Sequence, residues 1–461
     1  MPAARGKAVD ATREPEGHAA PGLATDLYEL TMAASYLRRG MQEPATFTLF
    51  VRRLPPQRGY LVAAGLEDSL RFLETFSLDD SELEWLSRHG FTDDEVARLG
   101  TLRFSGDVAA VPEGRVVLAG EPLLQVTAPI AEAQVVETYL LNQMTFHTTV
   151  ASKAARCVVA AGGLDPDGGI ELVDFSMRRT AGLEAAMAVA RDSAIAGFSA
   201  TSNVEAARRF ELQPSGTMAH SYVEAFPSER DAFTAFAQDR PGPVTFLVDT
   251  YDTMRGVDAA ADTIQRLGIA EAAVRLDSGD LAALARRARR RLDRAGLREV
   301  RILVSGGLDE HDLDRFRRDG VPVDAAGVGT RLGVSADAPS LDSAYKLVVY
   351  AGRPVCKLSA GKVTLPGAKQ VWRRPGIRDV IGLADEAGPA GGLPLLEPVM
   401  QGGRRLGPPP ALADARRRCR EDLLALPAEA LATADPVPPA VRLTPALRNL
   451  ARVSVAALRP R

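Results

Sequence analysis

Seven polar clusters recur along the central part of the chain, and each follows a short apolar run. Their arginines, glycines, hydroxyls and carboxylates, with one histidine, suit a phosphorylated substrate accompanied by a metal ion. The clusters are Asp174–Arg179, Thr201–Asn203, Gly216–Ser221, Asp249–Thr253, Arg275–Asp280, Ser305–Gly307 and Gly327–Arg331. Since a β/α barrel builds its active site from the carboxyl ends of successive strands, the pattern predicts an enzyme.

Anion binding is indicated by an arginine pair and by two glycine turns. Arg178 and Arg179 follow a predicted strand end, and arginine binds phosphate bidentately. In Ser305–Gly307 and around Gly329 and Thr330, glycine would let backbone N–H groups approach a phosphate closely. The alternatives are a surface arginine pair and turns that only require a positive φ.

Two further clusters could carry out chemistry. Asp277 and Asp280 follow Arg275 and could hold ribose hydroxyls or Mg²⁺, although Asp277 or Ser278 could instead cap the next helix. His220 ends a predicted strand among small polar residues, so it could serve as a catalytic or phosphate-accepting group, whereas most lone histidines are packed or on the surface.

Composition limits the classes of protein to consider. The chain has 461 residues, 46% of them hydrophobic and 25% charged, which allows two or three globular domains with a large core. A net charge of -3 gives no reason to expect a nucleic-acid or membrane partner. The three cysteines are widely separated, and no signal or membrane-spanning segment is recognisable, which favours a cytoplasmic protein.

The clusters must be positioned by alternating strands and helices, which predict an α/β fold with an irregular β/α barrel. The candidate strands are Ile170–Asp174, Ala194–Phe198, Gly216–His220, Val244–Asp249, Ala272–Leu276, Arg301–Val304 and Ala325–Val328. A doubly wound sheet is the alternative, but it would use only the strand ends near its switch point.

The remaining segments complete the predicted domain organisation. Residues 1–20 are predicted to be a disordered tail, 21–150 an N-terminal α+β domain and 151–345 the barrel catalytic domain. Residues 346–461 are expected to pack with the N-terminal domain, so that both segments build the flanking α+β unit. A strand is expected at Lys362–Gly367, within a segment rich in lysine.

Taken together, the chain resembles the nicotinate phosphoribosyltransferase family. The resemblance extends over roughly residues 21–380 and is carried by six pieces in a fixed order. They are Thr25–Tyr28, Phe47–Pro55, Gly216–Ser221, Arg275–Asp280, Gly327–Arg331 and Lys357–Ser359.

The resemblance implies an irregular barrel, an α+β domain and a homodimer with shared active sites. It implies transfer of phosphoribosyl from phosphoribosyl pyrophosphate to nicotinate in NAD biosynthesis, with Mg²⁺ and with ATP hydrolysed through phosphorylation of His220, a ligase-type coupling. The residues implied to bind the phosphates and ribose are Arg275, Asp277, Ser305, Gly306, Gly307, Gly329 and Thr330. Phe175 and Tyr28 of a partner would hold the pyridine ring, and Arg178 or Arg179 would bind its carboxylate or a phosphate. The cluster Thr201, Ser202 and Asn203 is also implied to bind substrate.

Some residues depart from the family pattern, and other functions remain open. Glycine is expected where Ser176 stands and a smaller or polar residue where Met177 stands, and both positions are next to the arginines and the expected ring pocket. The alternatives are a nicotinamide or a quinolinate phosphoribosyltransferase and a barrel regulator without activity. An aldolase or isomerase would want a Schiff-base lysine, and none of the seven clusters contains lysine.

Overall fold

The computed structural model describes residues 21–240, 242–358 and 364–458. The helices α1 to α17 span, in order, Leu27–Arg38, Leu66–Thr75, Asp80–Arg88, Asp93–Leu99, Ile130–Val135, Glu137–Ala160, Leu183–Ala196, Val204–Arg209, His220–Glu224, Glu229–Asp239, Thr253–Leu267, Leu281–Arg294, Glu310–Arg318, Thr330–Gly333, Leu412–Ala425, Ala428–Leu431 and Pro445–Leu458. The predicted tail at 1–20 lies outside the described residues.

Strands complete the element order. The strands β1 to β20 span Pro44–Val51, Leu61–Val62, Asp107–Ala110, Val116–Val117, Pro122–Pro129, Glu171–Asp174, Ala200–Thr201, Gln213–Pro214, Val244–Leu247, Ala272–Leu276, Arg301–Ser305, Ala325–Val328, Ser343–Tyr350, Arg353–Pro354, Lys369–Arg373, Val380–Leu383, Leu393–Pro394, Glu397–Gln401, Arg404–Arg405 and Arg442–Leu443.

The central feature is a curled parallel sheet of seven strands in the order β8-β7-β6-β12-β11-β10-β9. Its register aligns the strand ends: Asp174 lies opposite Val328 and Thr201, and Ser305 lies opposite Gly327. The predicted α/β fold with an irregular barrel is confirmed, and within the described residues β8 and β9 are the edges of a ring that does not close.

Two predicted strands were wrong. Residues 194–196 end helix α7, and the strand of that unit is the short β7 after Gly197, which adopts a φ of 127°. At 216–220 the chain is a loop that enters α9, and the strand precedes it as β8. The small apolar residues at 194–196 fit a buried helix end as well as a strand, and at 216–219 only Met218 is buried, so a short apolar run did not separate a strand from a helix end or a loop.

An antiparallel sheet of seven strands flanks the parallel one, in the order β14-β13-β1-β5-β3-β18-β19. The N-terminal strands β1, β5 and β3 form its centre, and C-terminal strands flank them on both sides, because β1 pairs with β13 and β3 pairs with β18. Four more strands form a small sheet, β17-β15-β16-β20, in the C-terminal segment. The strand predicted at Lys362–Gly367 falls partly outside the described residues, and residues 364–367 form no strand.

Helix α6 joins the two parts of the molecule. Its first half contributes Leu140 and Met144 to the core beneath the antiparallel sheet, and its second half contributes Val150 and Cys157 to the core of the parallel sheet. The predicted division after residue 150 therefore lies inside a continuous helix. Within the described residues, no helix combines the length and apolarity needed to cross a membrane.

Candidate active site

A cavity of about 180 Å³ opens at the carboxyl ends of β6, β10, β11 and β12. It lies where the parallel register brings the ends of these four strands to one edge of the sheet. Its lining consists of Phe175, Arg178, Arg179, Arg275, Asp277, Ser305, Gly306, Gly307, Gly327, Gly329 and Thr330. The structure thus brings together ten of the residues singled out from the sequence. The eleventh lining residue, Gly327, belongs to the predicted cluster Gly327–Arg331.

Arg275 is fixed by three side chains from three segments. Its Nε donates to Ser305 Oγ at 2.9 Å, Nη1 donates to Thr217 Oγ1 at 2.9 Å, and Nη2 donates to Asp277 Oδ1 at 2.7 Å. The guanidinium carbon also lies 5.3 Å from the centroid of the Phe175 ring. The charge of Arg275 is therefore held in one place beside the cavity.

Asp277 remains a charged carboxylate in this environment. Burial would raise the pKa of its carboxyl group, but the hydrogen bond from Ser305 and the charge of Arg275 hold that pKa below its ordinary value. Its side chain and that of Arg275 stand on the same face of the chain, since they are two residues apart at a strand end. The pair presents one cation and one anion to the cavity.

Asp249 supports the site through Asp277 and Ser278, although nothing in its sequence cluster distinguishes it from its neighbours. Its Oδ2 accepts from the Asp277 N–H at 2.9 Å and from Ser278 Oγ at 2.7 Å. Its Oδ1 is buried without a hydrogen-bond partner among the described residues. A buried carboxylate oxygen without a partner is costly unless a cation or donor approaches it.

His220 begins helix α9 and lies half-buried beside this network. Its Nδ1 lies 3.1 Å from Thr250 Oγ1, which orients the ring. A positive charge on His220 would be among the influences that lower the pKa of Asp277. His220 does not line the 180 Å³ cavity, but Thr217, three residues before it, contacts Arg275.

The turn that carries Phe175, Arg178 and Arg179 is anchored by a buried carboxylate. Asp174 accepts from the Ser176 N–H at 2.8 Å and from Thr201 Oγ1 at 2.7 Å. Burial raises the pKa of Asp174, and these two hydrogen bonds lower it in part. Both arginines are exposed, line the cavity and make no ion pair among the described residues, so they are free to meet an anion.

The glycine turns bring the backbone close to the cavity. Gly306 and Gly307 have φ values of 108° and 73°, a region that other residues rarely adopt. A Cβ on Gly306 would lie 2.2 Å from Asp277 O, so only glycine allows this approach between the two strand ends. The backbone N–H groups of such a turn suit a phosphate.

Thr201, Ser202 and Asn203 are not brought into the cavity. Thr201 and Asn203 are buried: the Thr201 hydroxyl serves Asp174, and Asn203 Oδ1 accepts from the Ala206 N–H at 3.1 Å as the cap of α8. Asp280 has a similar local partner, since its Oδ1 accepts from the Ala283 N–H at 3.1 Å and caps α12. Strand-end polar clusters can thus cap helices as well as bind ligands.

Tyr28 lies on α1, away from the cavity lining, and its side chain is 47% exposed. Burial of its hydroxyl and the nearby Glu137 and Glu29 raise its pKa, so the phenol stays neutral. Within the described part of one chain, the Tyr28 ring does not reach Phe175.

A larger cavity of about 960 Å³ lies between α2, α6, α7 and α8. His147 at its floor has Nδ1 3.0 Å from Asp192 Oδ1. None of the residues predicted to act in the site lines it. Size alone therefore does not identify the functional site, and the smaller cavity has the groups that suit phosphates.

Comparison with known proteins finds one family over most of the chain. Three family models match it: the nicotinate phosphoribosyltransferase N-terminal domain at residues 23–145, the nicotinate phosphoribosyltransferase family at 170–347, and the nicotinate phosphoribosyltransferase C-terminal domain at 377–451.

Curated proteins and solved structures are similar as well. Nicotinate phosphoribosyltransferase pncB2 of Mycobacterium tuberculosis is 48% identical, covering 88% of this chain and 88% of that protein. The nicotinate phosphoribosyltransferase of Bacillus subtilis is 42% identical, covering 76% and 72%. The crystal structure of human nicotinic acid phosphoribosyltransferase superposes with a TM-score of 0.82 at 30% identity, covering 93% of this chain and 99% of that one.

Proposed function

The chain belongs to the nicotinate phosphoribosyltransferase family, and we propose that it transfers phosphoribosyl from phosphoribosyl pyrophosphate to nicotinate for NAD biosynthesis. The products are nicotinate mononucleotide and pyrophosphate. The observation that carries the proposal is the position of Arg275, held by Ser305, Thr217 and Asp277 beside two glycine turns.

The reaction requires charge stabilisation and no general base. The pyridine nitrogen has a free lone pair, which forms the bond to the ribosyl carbon as the bond to pyrophosphate breaks. Arg275 stabilises the leaving pyrophosphate, and Ser305–Gly307 with Gly329 and Thr330 hold the 5′-phosphate. The Asp277 carboxylate accepts hydrogen bonds from the ribose hydroxyls, next to the developing positive charge.

Mg²⁺ would supply further positive charge against the pyrophosphate. Asp277 and Asp249 fit this ion, because Asp249 Oδ1 is buried without a partner among the described residues. No cluster of three or more potential ligand side chains occurs within the described residues, which fits an ion that keeps phosphate and water ligands. The cap that Asp280 makes to α12 favours a structural role for that residue.

Nicotinate is favoured over nicotinamide by the charge of the cavity. Arg178 and Arg179 make no ion pair among the described residues and can pair with a carboxylate. Asp277 is the one acidic residue of the described lining, and Arg275, the ribose hydroxyls and Mg²⁺ are its proposed partners, so it is not available to accept a hydrogen bond from an amide; Asp249 lies outside the lining. Phe175 offers a face for the pyridine ring, and Tyr28 of a second copy would cover the other face in a homodimer.

ATP is proposed to act through His220. Phosphorylation of its free Nε2 would place two negative charges near Asp277 and Arg275, while Nδ1 keeps its contact with Thr250. Such a group would change the affinity for phosphoribosyl pyrophosphate and link ATP hydrolysis to transfer. The free state of Cys157, Cys356 and Cys419 supports a cytoplasmic enzyme.

A product assay tests the substrate and the coupling together. The protein is incubated with phosphoribosyl pyrophosphate, Mg²⁺ and nicotinate, nicotinamide or quinolinate, with and without ATP. We expect product from nicotinate and not from nicotinamide or quinolinate. We also expect ATP to increase the yield of nicotinate mononucleotide, with release of ADP. A preference for nicotinamide would contradict the assignment of the arginines.

His220→Ala separates the two activities in the same assay. We expect it to abolish stimulation by ATP while some ATP-independent transfer remains, and we expect the exposed control His311→Ala to behave as the unaltered protein. Full ATP stimulation in His220→Ala would refute the phosphohistidine.

A further inference from the structure

The ring of Phe175 rests directly on the backbone of the neighbouring strand β12. The Phe175 N–H donates to Val328 O at 2.9 Å, which places the side chain over Gly327. A Cβ built on Gly327 would lie 2.3 Å from Phe175 Cδ2 and 2.5 Å from Cε2. The ring therefore occupies the space that any side chain at position 327 would need.

Backbone conformation does not explain this glycine. Gly327 lies inside β12 and pairs with Val173 on one side and Ser305 on the other, in extended geometry that any residue can adopt. It differs in this from Gly306 and Gly307, whose φ values are positive. The three atoms nearest to the missing Cβ all belong to the Phe175 ring, so this ring is the first obstacle to any side chain at position 327.

Arg275 limits the position of the ring from another direction. Its guanidinium carbon lies 5.3 Å from the ring centroid and is held by three hydrogen bonds. The ring is thus confined between a strand backbone and a fixed cation. A methyl group at position 327 would move the ring into the cavity, because interiors at normal packing density leave no other space.

We propose that Gly327 is a positioning residue that sets the height and tilt of the Phe175 ring and thereby the affinity for the pyridine substrate. The inference rests on the proposed function, in which Phe175 stacks on that substrate. Offset stacking depends on the separation and tilt of the two rings, so a displaced Phe175 weakens pyridine binding. Phosphate binding is much less affected, since Ser305–Gly307, Gly329 and Thr330 bind through backbone N–H and hydroxyl groups and not through the displaced ring.

Gly327→Ala is the test, with Gly382→Ala as its matched control. A Cβ on Gly382, in β16, would lie 2.6 Å from Trp372 Cζ3, so both variants press a methyl group on an aromatic ring in a sheet. We expect both to lower thermal stability. Only Gly327→Ala should raise KM for the pyridine substrate, by about 10-fold, while KM for phosphoribosyl pyrophosphate changes by less than about 2-fold.

A second background separates positioning from general damage. In Phe175→Leu the ring is absent, so adding Gly327→Ala should change the pyridine KM by less than about 2-fold. An unchanged pyridine KM in Gly327→Ala overturns the proposal, as does an equal fold-change with and without Phe175.

A crystal structure of Gly327→Ala gives a readout that does not depend on activity. We expect the Phe175 ring to be displaced relative to Arg275, and an unmoved ring would also overturn the proposal. If the unaltered protein converts no pyridine substrate, the proposed function fails. The position of the Phe175 ring in the Gly327→Ala structure still decides whether Gly327 positions that ring.

Discussion

Arg275 uses all three guanidinium nitrogens on different partners, which a lysine cannot do. Ser305, Thr217 and Asp277 each accept from a different nitrogen. A lysine ammonium on a flexible stem is a point charge and would reach one or two of these groups. A lysine at position 275 would therefore lose the fixed position of the positive charge as well as hydrogen bonds.

We therefore expect Arg275→Lys to lower kcat/KM for phosphoribosyl pyrophosphate by roughly 100-fold, because positioned charge against a leaving group contributes a few kcal/mol. Steady-state kinetics measure this, with exposed Arg290→Lys on α12 as a control that should stay at the unaltered value. A loss of less than about 5-fold would mean that charge alone, without the three-point contact, is sufficient.

At the scale of elements, Lys369 on β15 illustrates how a strand can bury a charge-bearing side chain. It is 5% exposed, and its Nζ donates to Gly367 O at 2.7 Å. Burial lowers the pKa of Lys369 to about 7 from the ordinary 10.5. The amine is thus neutral in the native state over a pH range in which the unfolded chain binds a proton.

The sign of the pH dependence follows from proton binding. Below about pH 7 Lys369 is protonated in both the native and the unfolded state, so the native state bears the full free-energy cost of burying the charge. Between about pH 7 and 10.5 only the unfolded state binds this proton, so native stability rises with pH. Lys369→Met should therefore raise the free energy of unfolding by roughly 4 kcal/mol at pH 6, and the gain should disappear near pH 10.

Urea unfolding at several pH values tests this expectation. The control is Lys346→Met on β13, since Lys346 is half-buried and lies 3.6 Å from Glu137. That variant should show no comparable gain at low pH. An equal response of both variants would mean that the burial of Lys369 has no special cost.

At the scale of the whole molecule, Tyr28 and the cavity belong to different parts of the chain. Tyr28 is 47% exposed on α1 and does not line the cavity, whereas Phe175 lies at its edge. A homodimer with shared sites would bring Tyr28 of one copy to Phe175 of the other. Complementation between two defective variants tests this arrangement.

Tyr28→Ala and Arg275→Ala should each be weakly active alone. Co-expressed, they should recover about a quarter of the unaltered activity, because half of randomly paired dimers are mixed and each mixed dimer has one intact site. The activity of the co-expressed mixture provides the measurement, and the mixed dimer purified from it should reach about half of the unaltered activity. No recovery in a mixed dimer would place Tyr28 outside the partner's site, and an exposed-surface control, His311→Ala, should be fully active in either partner.

The sequence by itself determined the residue types at the strand ends and most of the elements that carry them. Alternation and spacing located β6, β10, β11 and β12, because a buried strand followed by glycine or a polar cluster is a local pattern. Arg275 and Asp277 also lie on one face because they are two residues apart and side chains alternate along a strand. The resemblance to the family rested on these same local motifs.

Only the tertiary structure decided which polar groups share a cavity and which serve the fold. Asp249 joins Asp277 and Ser278 from another strand, while Thr201 and Asn203 are used within the scaffold. The role of Gly327 likewise depends on a ring from the adjacent strand. A hydrogen bond or steric contact between segments depends on register and sheet curvature, which no single segment encodes, so local sequence could not assign these roles.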